Sequence, residues 1–261
     1  MVNMLKMDMY RLFKSKAFKV VLIVVVILNL TYGPLVRLLS YISERNASSD
    51  SEPVVWERSM NFADIVRSPL GFFDSILILL SIVWFSHADL GHGYIKNIAG
   101  QLSQKGYTVI SKFIVVGIQN FFLVLSAVIA QTIGYIPVKD INFTEELSSA
   151  IGYFWLKWLL MLAISAIILL FSSGLKSKTA ATTTAVLMGG QILSLTYMLF
   201  SFGIRKIPLK FLKEFSLGDY MPDSLMSEAE PPVVKSIIVS LVIITVFMTA
   251  TVNVFNNKDV N

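Results

Sequence analysis

The chain has 261 residues, 55% of them hydrophobic and only 15% charged, with a mean hydropathy of +0.69. That is too little charged surface for a soluble domain of this length, so the excess apolar residues must face lipid. The absence of cysteine excludes disulfides and thiolate chemistry, and a formal charge of +5 is too diffuse to point to nucleic acid.

Lys6, Arg11, Lys14, Lys16 and Lys19 precede the first long apolar run. Within this stretch Leu5, Met9, Leu12 and Phe13 recur at helical spacing, while Lys6, Arg11 and Lys14 fall elsewhere. The pattern predicts an amphipathic helix lying at the inner membrane surface. A basic leader that only fixes topology is the alternative.

The apolar runs that follow are continuous, not alternating, which specifies helices and not barrel strands. Six spans are expected, at 20–39, 70–86, 113–136, 151–173, 179–203 and 233–255, forming one all-α transmembrane domain. The first contains Asn29, Gly33, Pro34 and Arg37 and is expected to kink or end early. It lacks a small-residue cleavage site, so it reads as a retained anchor. The second is the weakest span and carries Asp74, a candidate for the outer vestibule. In the fourth, Lys157 sits among Tyr153, Trp155 and Trp158 and is expected to snorkel to the outer interface. The fifth places Ala181, Ala185 and Gly189 at i+4 spacing, a small-residue face on which another helix can approach closely. Its Thr182–Thr184 and Gln191 either line a substrate route or bond to neighbouring helices, and packing is the simpler reading. Beyond it Ile207, Phe211, Leu212 and Phe215 suggest an amphipathic outer helix, a gate or a lipid anchor.

Orientation rests on the basic residues around the first helix. Eleven Lys and Arg fall on each side, but five of the inner ones flank that helix, and the acidic residues separate three inside to fourteen outside. Both termini are therefore expected in the cytoplasm.

The segment 89–112 joins the second and third spans on that side, with Gly93, Gly100 and Gly106 punctuating a short stretch, 94–98, that can form a helix across the membrane face. Asp89, Gly93, Ile95, Lys96, Asn97, Ile98 and the pair Ser111-Lys112 make a pattern that resembles the permease subunits of type-2 ABC exporters. The resemblance is to the small six-span members tied to lantibiotic or bacitracin-like peptide export or immunity in Gram-positive bacteria. The opening Tyr10-Arg11-Leu12-Phe13-Lys14-Ser15-Lys16 is similar as well. Motif-level likeness covers roughly 40 residues, and Asp89 in place of Glu and Gln104-Lys105 in place of Ser-Arg depart from the pattern.

The resemblance implies a coupling helix within 94–106 docked on a separate ATP-binding subunit, with Asp89 shaping the entry turn. Tyr94, Ile95, Asn97 and Ile98 would lie in that contact, and Lys96 and Lys105 would pair with acidic groups of the partner. It further implies ATP and Mg bound by the partner and not by this chain, a second permease copy or related chain, and an amphipathic or antimicrobial peptide substrate. The expected setting is a Gram-positive plasma membrane. A non-transporting membrane sensor or scaffold is the second reading.

Other chemistry finds little footing. His87 and His92 are spaced poorly for one helical face, and no further His or Cys exists to complete a set. Gly174-Leu-Lys-Ser-Lys-Thr179 lacks the second glycine of a phosphate loop. Glu145-Glu146 lies on the opposite side from both histidines, which argues against an intramembrane metalloprotease. Asn46-Ala-Ser48 and Asn142-Phe-Thr144 read as chance matches to a glycosylation acceptor.

Overall fold

The computed structural model describes residues 2–46, 59–68, 70–91, 106–143, 147–192, 222–227 and 232–257. Along them run α1 (Val2–Lys14), α2 (Lys16–Asn46), β1 (Ser59–Asn61), α3 (Phe62–Arg67), α4 (Phe72–Gly91) and α5 (Gly106–Tyr135). They are followed by β2 (Asp140–Asn142), α6 (Leu147–Leu169), a π-helical turn (Leu170–Gly174), α7 (Lys178–Gly189), α8 (Pro222–Ser227) and α9 (Val233–Asn257). Among the described residues four stretches are long and apolar enough to cross a bilayer: Lys16–Ile42, Gly106–Tyr135, Leu147–Gly174 and Val233–Asn257. This is a helical membrane protein.

The centre is built on α5 and α6, which bury most of their length, while α2 and α9 expose one flank each. The exposed flank of α9 is aliphatic (Val234, Ile238, Val242, Val246), whereas Ser236, Ser240 and Thr251 are buried. This inversion follows from the solvent. Lipid competes for aliphatic side chains as well as a protein core does, so small and hydroxyl-bearing residues turn inward, where helices approach closely.

α2 runs unbroken through Pro34 to Asn46, so the expected early end is not found. Proline removes only its own N–H, leaving no donor from this position to the carbonyl of Leu30. That carbonyl lies against α5, 2.6 Å from where a Cβ on Gly134 would stand, and Gly33 in turn seats on the Gly134 carbonyl. The α-hydrogens of two glycines thus face carbonyl oxygens across a close crossing, the geometry of weak Cα–H···O contacts.

α4 matches the second expected span, but its apolar stretch, Phe73–Ala88, is shorter than those of the four spanning helices. Asp74, Ser75, Ser81 and Ser86 are all buried along it. Asp74, Ser81 and Ser86 bond to neighbouring helices. α7 packs on α4 through the small-residue face: Ala181 and Ala185 are fully buried, and a Cβ on Gly189 would stand 2.9 Å from Ile76 Cα. The face therefore serves packing within the chain and is not free for a second copy.

The fifth span departs from its expected course. α7 ends at Gly189, and Gln191 adopts a left-handed φ of 52°. Its 12 residues reach about 18 Å, short of a hydrocarbon core near 30 Å. The remainder, 193–203, and the expected outer helix at 207–215 lie outside the described residues.

A second unexpected feature is a parallel two-stranded ribbon, β1 with β2, pairing Ser59 with Asp140 and Asn61 with Asn142. It ties the segment after α2 to the segment after α5, so the fold is not purely helical. The phosphate-loop lookalike is a helix connection, with Lys176 at a φ of 56° and the Ser177 hydroxyl accepting from the Ala180 N–H to cap α7.

Candidate functional site

The segment that carries the family resemblance begins at the end of α4 and finishes at the start of α5. Asp89 lies in the last turn of α4, while Gly93, Tyr94, Ile95, Lys96, Asn97, Ile98 and Lys105 lie outside the described residues. What the structure defines is the frame holding the two ends of that segment.

The exit is pinned first by Gly106. A Cβ there would stand 2.9 Å from Val252 Cγ1, so α5 starts pressed against α9. One turn on, the Ser111 hydroxyl donates to Asp8 Oδ2 at 2.7 Å, tying α5 to α1. Asp8 is buried despite its charge, and Arg11 on the same helix approaches its other oxygen at 3.6 Å. Lys112 is 1% exposed, and its ammonium donates to the Ser86 carbonyl at 3.3 Å on α4. The Ser86 hydroxyl in turn meets Ser172 Oγ, in the π turn, at 2.9 Å.

One polar cluster thus joins α1, α4, α5 and the π turn at the end of the bundle that carries the N-terminus. Such bonds hold well at this depth because the polar groups that make them have few alternative partners. The Ser111-Lys112 pair, noted in the sequence as part of a motif, acts as a two-sided peg. Asp8 was missed: a lone acidic residue in a basic amphipathic helix reads as solvent-facing. The buried residues of α1 are Met4, Asp8 and Leu12; of the expected apolar face Leu12 is buried, Leu5 and Met9 pack against the core, and Phe13 is 42% exposed.

Deeper in, two adjacent amides of α5 bridge to other helices. Gln119 Nε2 donates to Ser81 Oγ at 2.6 Å and Asn120 Nδ2 to Ser165 Oγ at 2.8 Å. Both residues escaped the sequence reading, although two neighbouring amides inside an apolar run are a usable signal of interhelical bonding.

The opposite end has its own polar set. Asn29 donates to Asp74 Oδ2 at 3.0 Å, so Asp74 is buried between helices. Lys157 is 6% exposed and donates to the Ser68 carbonyl, so it does not snorkel to an interface. Of the aromatics around it, Trp155 is exposed and Trp158 donates to the Gly117 carbonyl at 2.9 Å.

No family model and no curated protein matches this chain.

Among the described residues no three His, Cys, Asp or Glu side chains gather in a way that would hold a metal. The described polar groups link helices in pairs.

Proposed function

We propose that the chain is the membrane-spanning permease subunit of an ATP-driven exporter. A separate ATP-binding subunit would hold ATP and Mg and dock on 94–106, and the transported substrate would be an amphipathic or antimicrobial peptide. The observation that carries the reading is the peg at the exit of that segment. Ser111 is bonded to α1, and Lys112 is bonded to the last turns of α4, from which the same segment departs. A displacement of the segment would move α1, α4 and α5 together instead of being absorbed at one hinge.

The reading asks for six crossings, with α4 as the second and the segment that starts with α7 as the fifth. Irregular backbone at membrane depth is tolerated where protein or a water-lined route surrounds it, and the Gly190–Gln191 turn fits that condition. Both termini would lie in the cytoplasm of a Gram-positive cell, and a second permease copy would complete the pathway.

The test is co-purification of the ATP-binding protein encoded beside this chain, using wild type and the triple variant Ile95→Ala, Lys96→Ala, Ile98→Ala. Wild type should retain the partner, and the variant should lose it while still inserting into the membrane. If wild type retains none, the permease reading falls and a membrane sensor or scaffold takes its place.

A further inference from the structure

Between α1, the start of α2, α4 and α5 lies a partly enclosed cavity of about 220 Å³, whose lining includes Arg11, Ser15, Phe18, Ser81, Trp84 and Gln119. Ala88 and Ser81 both border it, so it spans two turns of α4, about 10 Å from the charged end of the bundle inward. Trp84 is 43% exposed and marks the flank open to lipid, whereas Gln119 is 1% exposed.

The hydrogen bonds define what an occupant must supply. Ser81 gives its proton to the Ile78 carbonyl at 2.6 Å, so its oxygen accepts from Gln119 and the amide orientation is fixed. Gln119 lines the cavity, and its buried Oε1 is then an acceptor with no partner among the described residues. A buried carbonyl left in that state costs about 1–3 kcal/mol, which an entering donor would recover. Arg11 supplies a cation at the outer end, with the Asp8 carboxylate 3.6 Å behind it. That carboxylate disfavours a dianion, so a singly charged phosphodiester suits the site better than a phosphate monoester. The volume falls below the roughly 300–1,000 Å³ of pockets that engulf a whole drug-sized ligand, so a head group enters while its chains stay in the bilayer.

We propose that this cavity binds the head group of an anionic phospholipid that carries a hydroxyl, as phosphatidylglycerol does, drawn from the leaflet on the N-terminal side. Arg11 donates to the phosphodiester oxygens, and a head-group hydroxyl donates to Gln119 Oε1. The shared anion chemistry could also come from free phosphate, and the experiment separates the two. The proposal is independent of the exporter reading.

The full chain, purified in detergent, is titrated with phosphatidylglycerol, phosphatidylmethanol, phosphatidylcholine or inorganic phosphate, and thermal unfolding is followed. Phosphatidylmethanol keeps the charge and lacks the hydroxyl, so the wild-type comparison tests the Gln119 contact without a variant. Phosphatidylglycerol should raise the melting temperature most, phosphatidylmethanol less, and phosphatidylcholine and phosphate least. Arg11→Gln should weaken the apparent affinity for phosphatidylglycerol about tenfold. If that variant is not monodisperse, Trp84→Ala at the exposed rim should weaken it as well. Equal protection by the two anionic lipids overturns the hydroxyl contact. Protection by phosphate equal to that by lipid overturns the lipid assignment. Lipid selectivity that survives in both variants overturns the site.

Discussion

Asn29 spends both of its amide protons on buried acceptors, one on Asp74 Oδ2 at 3.0 Å and one on the Val25 carbonyl at 2.9 Å. The first bond links α2 to α4 where neither residue can turn to water. Asn29→Ala and Asp74→Ala should each lower stability by about 1–3 kcal/mol, and the double variant should cost clearly less than their sum. Unfolding of the four proteins in detergent measures the coupling, and strict additivity would show that the bond contributes nothing.

The crossing of α2 and α5 should be the most size-sensitive place in the bundle. A methyl on Gly134 would meet the Leu30 carbonyl at 2.6 Å, whereas a methyl on Gly152 would meet nothing within 4 Å. Gly134→Ala should therefore destabilise by about 1–3 kcal/mol, and Gly152→Ala should be neutral or slightly stabilising. Melting temperatures of the two single variants decide it; equal shifts would mean that the helices part without cost.

Lys157 should behave as an interior residue. Its ammonium holds the Ser68 carbonyl, at the end of α3, so Lys157→Met should orphan that carbonyl and cost about 1–3 kcal/mol. In the folded protein Lys157 should resist amine-reactive reagents, while Lys178, on an exposed helix start, should label readily. Mass-spectrometric mapping reads both, and fast labelling of Lys157 would restore the snorkelling geometry.

Ser111→Ala should loosen α1 selectively. Losing the 2.7 Å bond to Asp8 leaves a buried carboxylate oxygen short of a donor, and amide exchange in α1 should rise about tenfold while α6 stays protected. A uniform change across the bundle would mean that the bond is not what holds α1.

Four of the six expected spans are found as single helices because a long apolar run in a bilayer has one solution. Their limits were harder to read. α5 begins at Gly106, ahead of the expected 113, since Ser111 and Lys112 look like a membrane boundary until their partners on α1 and α4 are known. Pro34 reads as a break, and it is not one, because α5 supports the backbone around the carbonyl it leaves. Of the candidate site, Ser111 and Lys112 were legible as a pair, and their bonds to other helices were not. Asp8, Ser86 and Ser172 carry no periodicity of their own, and each gains meaning only from a residue on another helix. The β1–β2 ribbon escaped for the same reason, since three-residue strands leave no pattern to find.

The bond between Asp8 and Ser111 spans 103 positions of the chain. At translation rates of about 5–20 residues per second, α1 exists for several seconds before its anchor is made. Through that interval a helix with one carboxylate on its sticky face must wait at the membrane surface, and its lysines give it an attraction to anionic lipid meanwhile. The bond therefore acts as a latch that can close only once α5 has been made, and a chain stalled before α5 would leave its first helix undocked.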